Sequence, residues 1–483
     1  MTARARADVL NLFETARALY GDEPPAELAA LEQRMKEPLR LAIAGMVKAG
    51  KSTLLNALLG ERVAATDAGE CTLLVTWYRY SETPSITLYP EIGKAVDLPI
   101  RQEHGQVTFE IDRPVEEVAR VEVRWPAPAL RSVTLIDTPG IGSLSAGTSA
   151  RSEGFLAPDD APATADAVIY LMRHLHPADI RFLEVFRDSV AGLSSSVNAL
   201  AVLSRADEIG SGRIDSLLSA RRVAHRYEQD PSLTSLALGV FPVAGLLAEG
   251  ARTLRKREFT RLQEIAGLER EDREKLLVSA DRFVRMAGSA TFGEQDRRDL
   301  ISRFGIFGVR LAATLIRAGA TTPPALAEAM VGQSGLEELR TFVERQFVGR
   351  TTTLKVHGVV EGFDWLLRKY PLDDPDPLRA GIERLRLRAH GLRELALLSQ
   401  SRKTGIPLAE GAVDAVRIAG GGGLELHARL GLPATTAEQD VQMRLQEELI
   451  RWRRKVNDPA NSRPAVEVCE TVLRTLEGFA AKA

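Results

Sequence analysis

Gly45-Met46-Val47-Lys48-Ala49-Gly50-Lys51-Ser52 places glycines, a lysine and a hydroxyl at the spacing of a phosphate-binding loop. In such a loop successive backbone N–H groups turn inward around a β-phosphate. Lys51 sets a point charge between β and γ oxygens, and the Ser52 hydroxyl faces Mg²⁺. The apolar run Leu39 to Ala44 before it and the helix-forming run Thr53 to Leu59 after it supply the strand–loop–helix context the motif requires. Gly45, Val47, Lys48, Ala49, Gly50, Lys51, Ser52 and Thr53 are therefore the expected nucleotide-binding residues of this stretch.

Three further elements follow in the order that GTP hydrolysis needs them. Asp137-Thr138-Pro139-Gly140 ends the apolar run Val133 to Ile136, which predicts Asp137 near Mg²⁺ through water and the Gly140 amide near the γ-phosphate. Ser204-Arg205-Ala206-Asp207 ends the run Asn198 to Leu203 and is similar to the guanine-reading element Asn/Thr-Lys-x-Asp. Asp207 can accept from both N1–H and the 2-amino group of guanine, whereas adenine offers neither donor there, so GTP is the expected substrate. Arg205 replaces the usual Lys, and its planar guanidinium can still cover the base face. The next run, Leu238 to Val243, ends in Ala244-Gly245, a weaker signal for a loop whose backbone approaches the guanine oxygen.

Positioning these loops calls for a doubly covered sheet. Residues 37–250 alternate apolar strands with helices, Ala178 to Val190 and Arg213 to Tyr227 among the latter, which predicts an α/β phosphate-loop domain with a mostly parallel sheet and helices on both faces. Residues 1–36 read as two helices, with Val9, Leu10, Phe13, Ala16, Leu19 and Tyr20 forming a stripe and Asp22 to Pro25 a break. From 251 the strand signal disappears. The expected division is a helical extension of the head over 251–350, with Ser334 capping its last helix, and an α-helical bundle stalk over 351–483. Gly420 to Gly423 reads as a hinge, turn or disordered loop, because four glycines lose too much backbone entropy inside a helix.

The chain has 483 residues, 45% hydrophobic and 27% charged, enough for an ample core and more than one domain. Its net charge of −2 argues against broad nucleic-acid binding. Cys71 and Cys469 form no disulfide framework, and no zinc-ligand spacing or Ser-His-Asp signature is visible. With no apolar run near the ~18 residues of a membrane span, and no apolar core behind Arg4, Arg6 and Asp8, the expectation is a cytoplasmic protein whose membrane contact is peripheral.

The stretch Gly50-Lys51-Ser52-Thr53-Leu54-Leu55-Asn56-Ala57-Leu58-Leu59-Gly60 resembles the dynamin superfamily, and Thr72 stands at that family's switch-I spacing, where its hydroxyl closes over Mg²⁺; Thr66 is the competing choice. Glu37-Pro38-Leu39-Arg40, Thr76-Trp77, Ser204 to Asp215 and Arg303-Phe304-Gly305-Ile306-Phe307-Gly308 are similar to the isoniazid-inducible dynamin-like GTPases of mycobacteria, over most of the chain. The resemblance implies a GTPase head, a helical stalk and work at the inner face of the plasma membrane. Self-association through the head, or pairing with a sister dynamin-like GTPase, belongs to the same expectation. Dynamins usually carry Gln third and Ser fourth in the phosphate loop, and here Val47 and Lys48 fill those slots. The fourth slot holds an arginine finger in guanylate-binding proteins and atlastins. Lys48 is thus either a catalytic cation in cis, beside Lys51, Thr72 and Gly140, or a solvent-facing residue.

Residues 379–408 carry seven cations against Glu383 and Glu394. The loop Arg402, Lys403, Ile406, Leu408 then reads either as a peripheral tip for anionic lipid or as a solvated face beside an ordinary loop. A GTP-regulated scaffold without lipid contact and a ribosome-assembly GTPase are the alternatives, the latter disfavoured by the near-neutral charge.

Overall fold

Apolar runs bounded by turn residues become strands where both faces can be covered, and the chain does this around residues 39–45. The computed structural model describes residues 3–64, 74–103, 106–140, 164–189, 198–210, 212–285 and 291–481. Its strands are β1 (Leu39–Gly45), β2 (Thr76–Tyr80), β3 (Ser85–Pro90), β4 (Val96–Leu98), β5 (Arg101–Glu103), β6 (Gln106–Thr108), β7 (Val118–Trp125), β8 (Val133–Asp137), β9 (Ala167–Met172), β10 (Ala199–Ser204) and β11 (Val240–Val243). The main sheet runs β11-β10-β9-β1-β8-β2-β7-β3-β4. β8, β1, β9, β10 and β11 are parallel neighbours. Every residue of β9 and β10 is buried, the pattern of strands covered on both faces.

The part that composition did not resolve is the other half of the sheet. β2 runs antiparallel to β8 and parallel to β7, and β3 and β4 extend that edge by antiparallel pairing. One face of this half packs Tyr78, Ile86, Leu88, Val121 and Val123 into the core, while the other carries the guanidinium groups of Arg40, Arg79 and Arg120 around Trp77.

Helix Lys51–Leu59 follows β1, Pro177–Ser189 follows β9 and Ser216–Glu228 follows β10. The register sets Ile43 opposite Asp137, Gly45 opposite Leu171 and Ser204 opposite Val243, so the C-terminal ends of β1, β8, β10 and β11 share one edge. That edge is where a doubly wound sheet leaves a crevice for ligands.

All described elements after β11 are helical. The N-terminal helices Ala3–Tyr20 and Ala26–Lys36 bury Val9, Leu12, Phe13, Ala16, Leu28 and Leu31 against Val359, Val360, Phe363 and Ile382 of the C-terminal helices. Leu10, expected in this stripe, is 47% exposed; Leu12 takes its place. Arg34 ties the second helix to the head by donating to Asp166 at 3.0 and 2.6 Å. Burial pushes the Asp166 carboxyl up, but Arg34, Lys355 and the Arg40 amide outweigh it and hold it below the usual range. Removing one partner of so buried a pair costs about 3–5 kcal/mol.

Gly420 to Gly423 forms a bonded turn rather than a disordered loop. The Gly420 carbonyl accepts from Arg350 at 2.7 Å, and φ of 91° at Gly420 turns the chain out of helix Ala412–Ile418. The Arg451 to Lys455 cluster occupies the last turn of helix Glu438–Val456, where cations complement the dipole, while Trp452 inside it is fully buried.

Candidate functional site

Lys51 opens helix Lys51–Leu59 with its side chain folded back over the loop, Nζ donating to Gly45 O at 3.3 Å and Met46 O at 3.4 Å. Burial lowers the pKa of this ammonium against the opposing pull of Asp137. Weak bonds to neutral carbonyls do not satisfy a desolvated cation, so the group is primed for an anion of higher charge.

Ser52 Oγ donates to Asp137 Oδ2 at 3.0 Å, joining the phosphate loop to the end of β8. Burial raises the Asp137 pKa, with Lys51, Ser52 and the Thr138 amide pulling it down. Asp137 Oδ1 is buried with no hydrogen-bond partner. The Ser52 hydroxyl and the Asp137 carboxylate, one of whose oxygens is buried and orphaned, form an all-oxygen donor set, which suits Mg²⁺ held partly through water. Gly140 lies against the loop as well: a Cβ there would stand 2.6 Å from Val47 Cγ2 and 2.8 Å from Val47 Cα, so no side chain fits between them.

Lys48 and Arg205 are the described non-glycine residues with positive φ, at 61° and 52°. Each such residue costs on the order of 1 kcal/mol, and here the two strained positions hold each other. Arg205 donates from Nη2 to Lys48 O at 3.1 Å and from Nη1 to Glu208 at 2.8 Å. The base-reading motif is thereby fixed to the fourth slot of the phosphate loop, and the Lys48 side chain is left exposed.

Between these loops lies a cavity of about 150 Å³. Ala49, Gly50, Thr53 and Leu54 line one side; Ser204, Arg205, Asp207 and Glu208, from the motif expected to read a base, line another; Gly245 and Leu246 form the far wall. Asp207 is 6% exposed, and burial pushes its carboxyl up to about 6, the nearby Glu208 adding to the rise and its own backbone bond and Arg205 opposing it. Ser204 is spent on structure, its Oγ donating to Met172 O at 3.2 Å. Ala244 does not line the cavity: its amide donates to Ser334 O at 2.9 Å, and Gly245 and Leu246 take the lining role. Thr72, Thr66 and the segment after Gly140 fall outside the described residues.

Sequence reasoning passed over Asn56. This fully buried side chain accepts from the Val63 and Ala64 amides at 2.9 and 2.8 Å and donates to Ala64 O and Glu249 Oε1, while Arg62 pairs with Glu249 at 2.9 Å. It fixes the chain immediately before the 65–73 segment. The available signal was an amide inside the otherwise apolar Leu54 to Leu59.

The cationic loop is not arranged as a free tip. Arg402 donates from both terminal nitrogens to Ala237 O and Leu238 O at 2.8 Å each, pinning helix His390–Lys403 to the head just before β11. Ile406 and Leu408 are partly buried against the core. Nothing of the Lys403 side chain is described. Elsewhere in this segment Arg386 is engaged by Asp364 and Glu383.

The geometry stands beside four similarities. Residues 41–181 match the family model described as the dynamin family. Over 458 residues, 94% of this chain and 92% of the relative, the sequence is 36% identical to the isoniazid-induced protein IniC of Mycobacterium tuberculosis (strain CDC 1551 / Oshkosh). It is 38% identical to the isoniazid-induced protein IniA of the same strain over 141 residues, 28% of this chain and 22% of that protein. A bacterial dynamin-like protein of Nostoc punctiforme is 28% identical over 167 residues, 30% of this chain and 22% of its own.

Proposed function

This chain belongs to the dynamin family of GTPases, and from that premise we propose that it hydrolyses GTP with Mg²⁺ and couples the cycle, through its helical bundle, to peripheral membrane binding and remodelling. The observation that carries the hydrolytic half is the convergence of Lys51, Ser52 and Asp137 on the same sheet edge as a cavity of about 150 Å³ lined by Gly50, Thr53 and Asp207. Lys51 and the loop amides bind the β and γ phosphates, while Asp207 selects the base with Arg205 beside it. Ser52, Asp137 through water and Thr72 would hold Mg²⁺. When bound, the ion neutralises charge on the β and γ oxygens.

Val47 offers no polar atom to orient an attacking water, so positioning falls to the Gly140 amide and to Thr72. Lys48 supplies the remaining cation. Lys48→Ala is expected to leave GTP affinity nearly unchanged and to lower turnover by about tenfold or more, the effect of removing a charge that acts on the transition state. Steady-state kinetics with a separate affinity measurement check this. Unchanged turnover removes Lys48 from catalysis and leaves it as a solvent-facing loop residue.

The head is taken as residues 37–250 with the helical extension 251–350, and the bundle as residues 1–36 with 351–483. Head-to-head self-association and a sister GTPase as partner extend this reading; what supports them is kinship with other bacterial dynamin-like proteins over part of the chain. No helix among the described residues is long and apolar enough to cross a membrane, so the proposed lipid contact is peripheral and electrostatic. One observation favours a second reading, a GTP-regulated scaffold: Arg402, Ile406 and Leu408 face the head and the core rather than solvent. Vesicle flotation separates the two. The membrane reading expects binding to anionic and not to neutral vesicles, in at least one nucleotide state, weakened by salt. No binding in any nucleotide state hands the function to the scaffold.

A further inference from the structure

Helix Glu294–Arg317 is not continuous. At Gly305 it breaks with φ of 62° and ψ of 172°, a conformation essentially reserved for glycine. The break is held from several sides. Arg303, just before it, is buried and donates to Glu258 Oε1 at 3.0 Å and to Thr253 O and Oγ1 at 2.9 and 2.7 Å. Phe304 and Phe307 on either side are buried. Helix Gly245–Arg252, whose first residues line the nucleotide cavity, approaches so closely that a Cβ on Gly250 would stand 2.6 Å from Arg303 O. Past the break, Arg310 donates to Gly212 O and to Leu277 O and Val278 O, gripping the far end of the loop that carries Asp207.

The junction reaches the base-reading carboxylate itself. A Cβ built on Gly305 would lie 3.7 Å from Asp207 Oδ2 and 3.7 Å from Leu246 Cδ2. Residue 305 therefore packs directly behind two residues that line the cavity, Asp207 and Leu246, although it stands almost a hundred residues after the motif it adjoins and belongs to the helical extension. At that distance a Cβ would make ordinary van der Waals contact, so what calls for glycine here is the backbone conformation that brings the helix up to Asp207. Any other residue is strained at this φ and also places carbon against the carboxylate.

We propose that Gly305 is a positioning residue for base selection: the kinked helix Glu294–Arg317 holds the Asp207 carboxylate toward the N1–H and 2-amino edge of guanine, so that selectivity depends on the helical extension as well as on the motif. This rests on Asp207 reading guanine. It explains why a helix that could run straight is broken here, and why the break is braced by a buried arginine.

The test uses the full chain and the pair GDP and IDP, which differ only in the 2-amino group. The unmodified protein should prefer GDP by about tenfold or more, because a carboxylate placed for that donor is left short with inosine. Gly305→Ala should weaken GDP binding by about tenfold or more and IDP binding by less, bringing the GDP-to-IDP ratio toward one, since both nucleotides share the N1–H bond and only GDP has the 2-amino bond. A purely structural role moves both affinities equally and leaves the ratio intact, and that result overturns the proposal, as does no change in either. Where a melting curve shows that Gly305→Ala does not fold, Arg310→Gln, which releases Gly212, is expected to shift the ratio in the same direction, and an unshifted ratio then counts against the proposal. Asp207→Asn separates the two readings. If it transfers preference to XDP while Gly305→Ala keeps the ratio, only the role of Gly305 falls; if the unmodified protein shows no GDP preference over IDP, the reading of Asp207 and this proposal fall together.

Discussion

Lys51→Ala loses GTP and GDP affinity by at least about a hundredfold while the empty protein remains as stable as before or becomes more so. The first half follows from where the ammonium stands. It is desolvated beside the loop, and its contacts are two long bonds, 3.3 and 3.4 Å, to neutral carbonyls. A phosphate chain gives it charge-assisted partners worth about 1.5–3 kcal/mol each, and losing the cation also leaves the incoming charge uncompensated inside the loop. At about 1.4 kcal/mol per factor of ten, that amounts to at least two orders of magnitude. The second half follows from the lowered pKa: a cation whose charged form is disfavoured by burial contributes little to the empty fold. Titration with GDP and a melting curve on the same sample check both. A variant that binds GDP within about threefold of the unmodified protein would show that the loop amides alone carry the phosphates, contrary to the geometry.

Lys51 was legible because its chemistry is local: glycines, lysine and hydroxyl sit within eight residues between a strand and a helix. The same holds for Asp137, which ends β8, and for Asp207, three residues past the end of β10. Arg402, left between a lipid tip and a solvated face, was not legible for the opposite reason. Its partners are the carbonyls of Ala237 and Leu238, some 165 residues away, and a basic segment looks the same in sequence whether its guanidinium groups face water or a neighbouring backbone. Gly305 lay inside a stretch noted only for its resemblance to a family, and nothing in its periodicity says that the helix breaks there or that Asp207 lies beyond the break. Ala244, expected beside Gly245, does not line the cavity: its amide donates to Ser334 O, an acceptor at a helix junction ninety residues downstream that local sequence does not reveal. The mixed half of the sheet escaped because β3, β4 and β7 alternate packed and polar or charged positions, so their apolar signal is diluted.

Asp207→Asn exchanges guanine for xanthine. The carboxylate accepts from two donors, N1–H and the 2-amino group. An asparagine amide accepts from only one, and sets its own NH₂ against the other, while the 2-oxo group of xanthine becomes its match. GTP affinity is expected to fall by at least about a hundredfold, with XTP taking over, because the wrong base leaves buried polar atoms unpaired. A second consequence distinguishes this residue from an ordinary surface carboxylate. Burial raises its pKa from 3.8 to about 6 in the empty protein. A carboxyl higher in the folded than in the unfolded chain costs stability as pH climbs from 3.8 to 6, about 3 kcal/mol once fully ionised before screening is allowed for. The empty Asp207→Asn protein should therefore melt higher than the unmodified one at pH 7, and the difference should vanish below about pH 4. Binding carries the opposite sign. Guanine needs the ionised form, so GDP affinity of the unmodified protein should be level above pH 6 and fall by about tenfold per unit below it, whereas XDP affinity of the variant should stay level through that window. Flat GDP binding down to pH 5 would mean that Asp207 is already ionised by a partner the cavity does not contain, and equal affinity of the unmodified protein for ATP and GTP would remove it from base selection altogether.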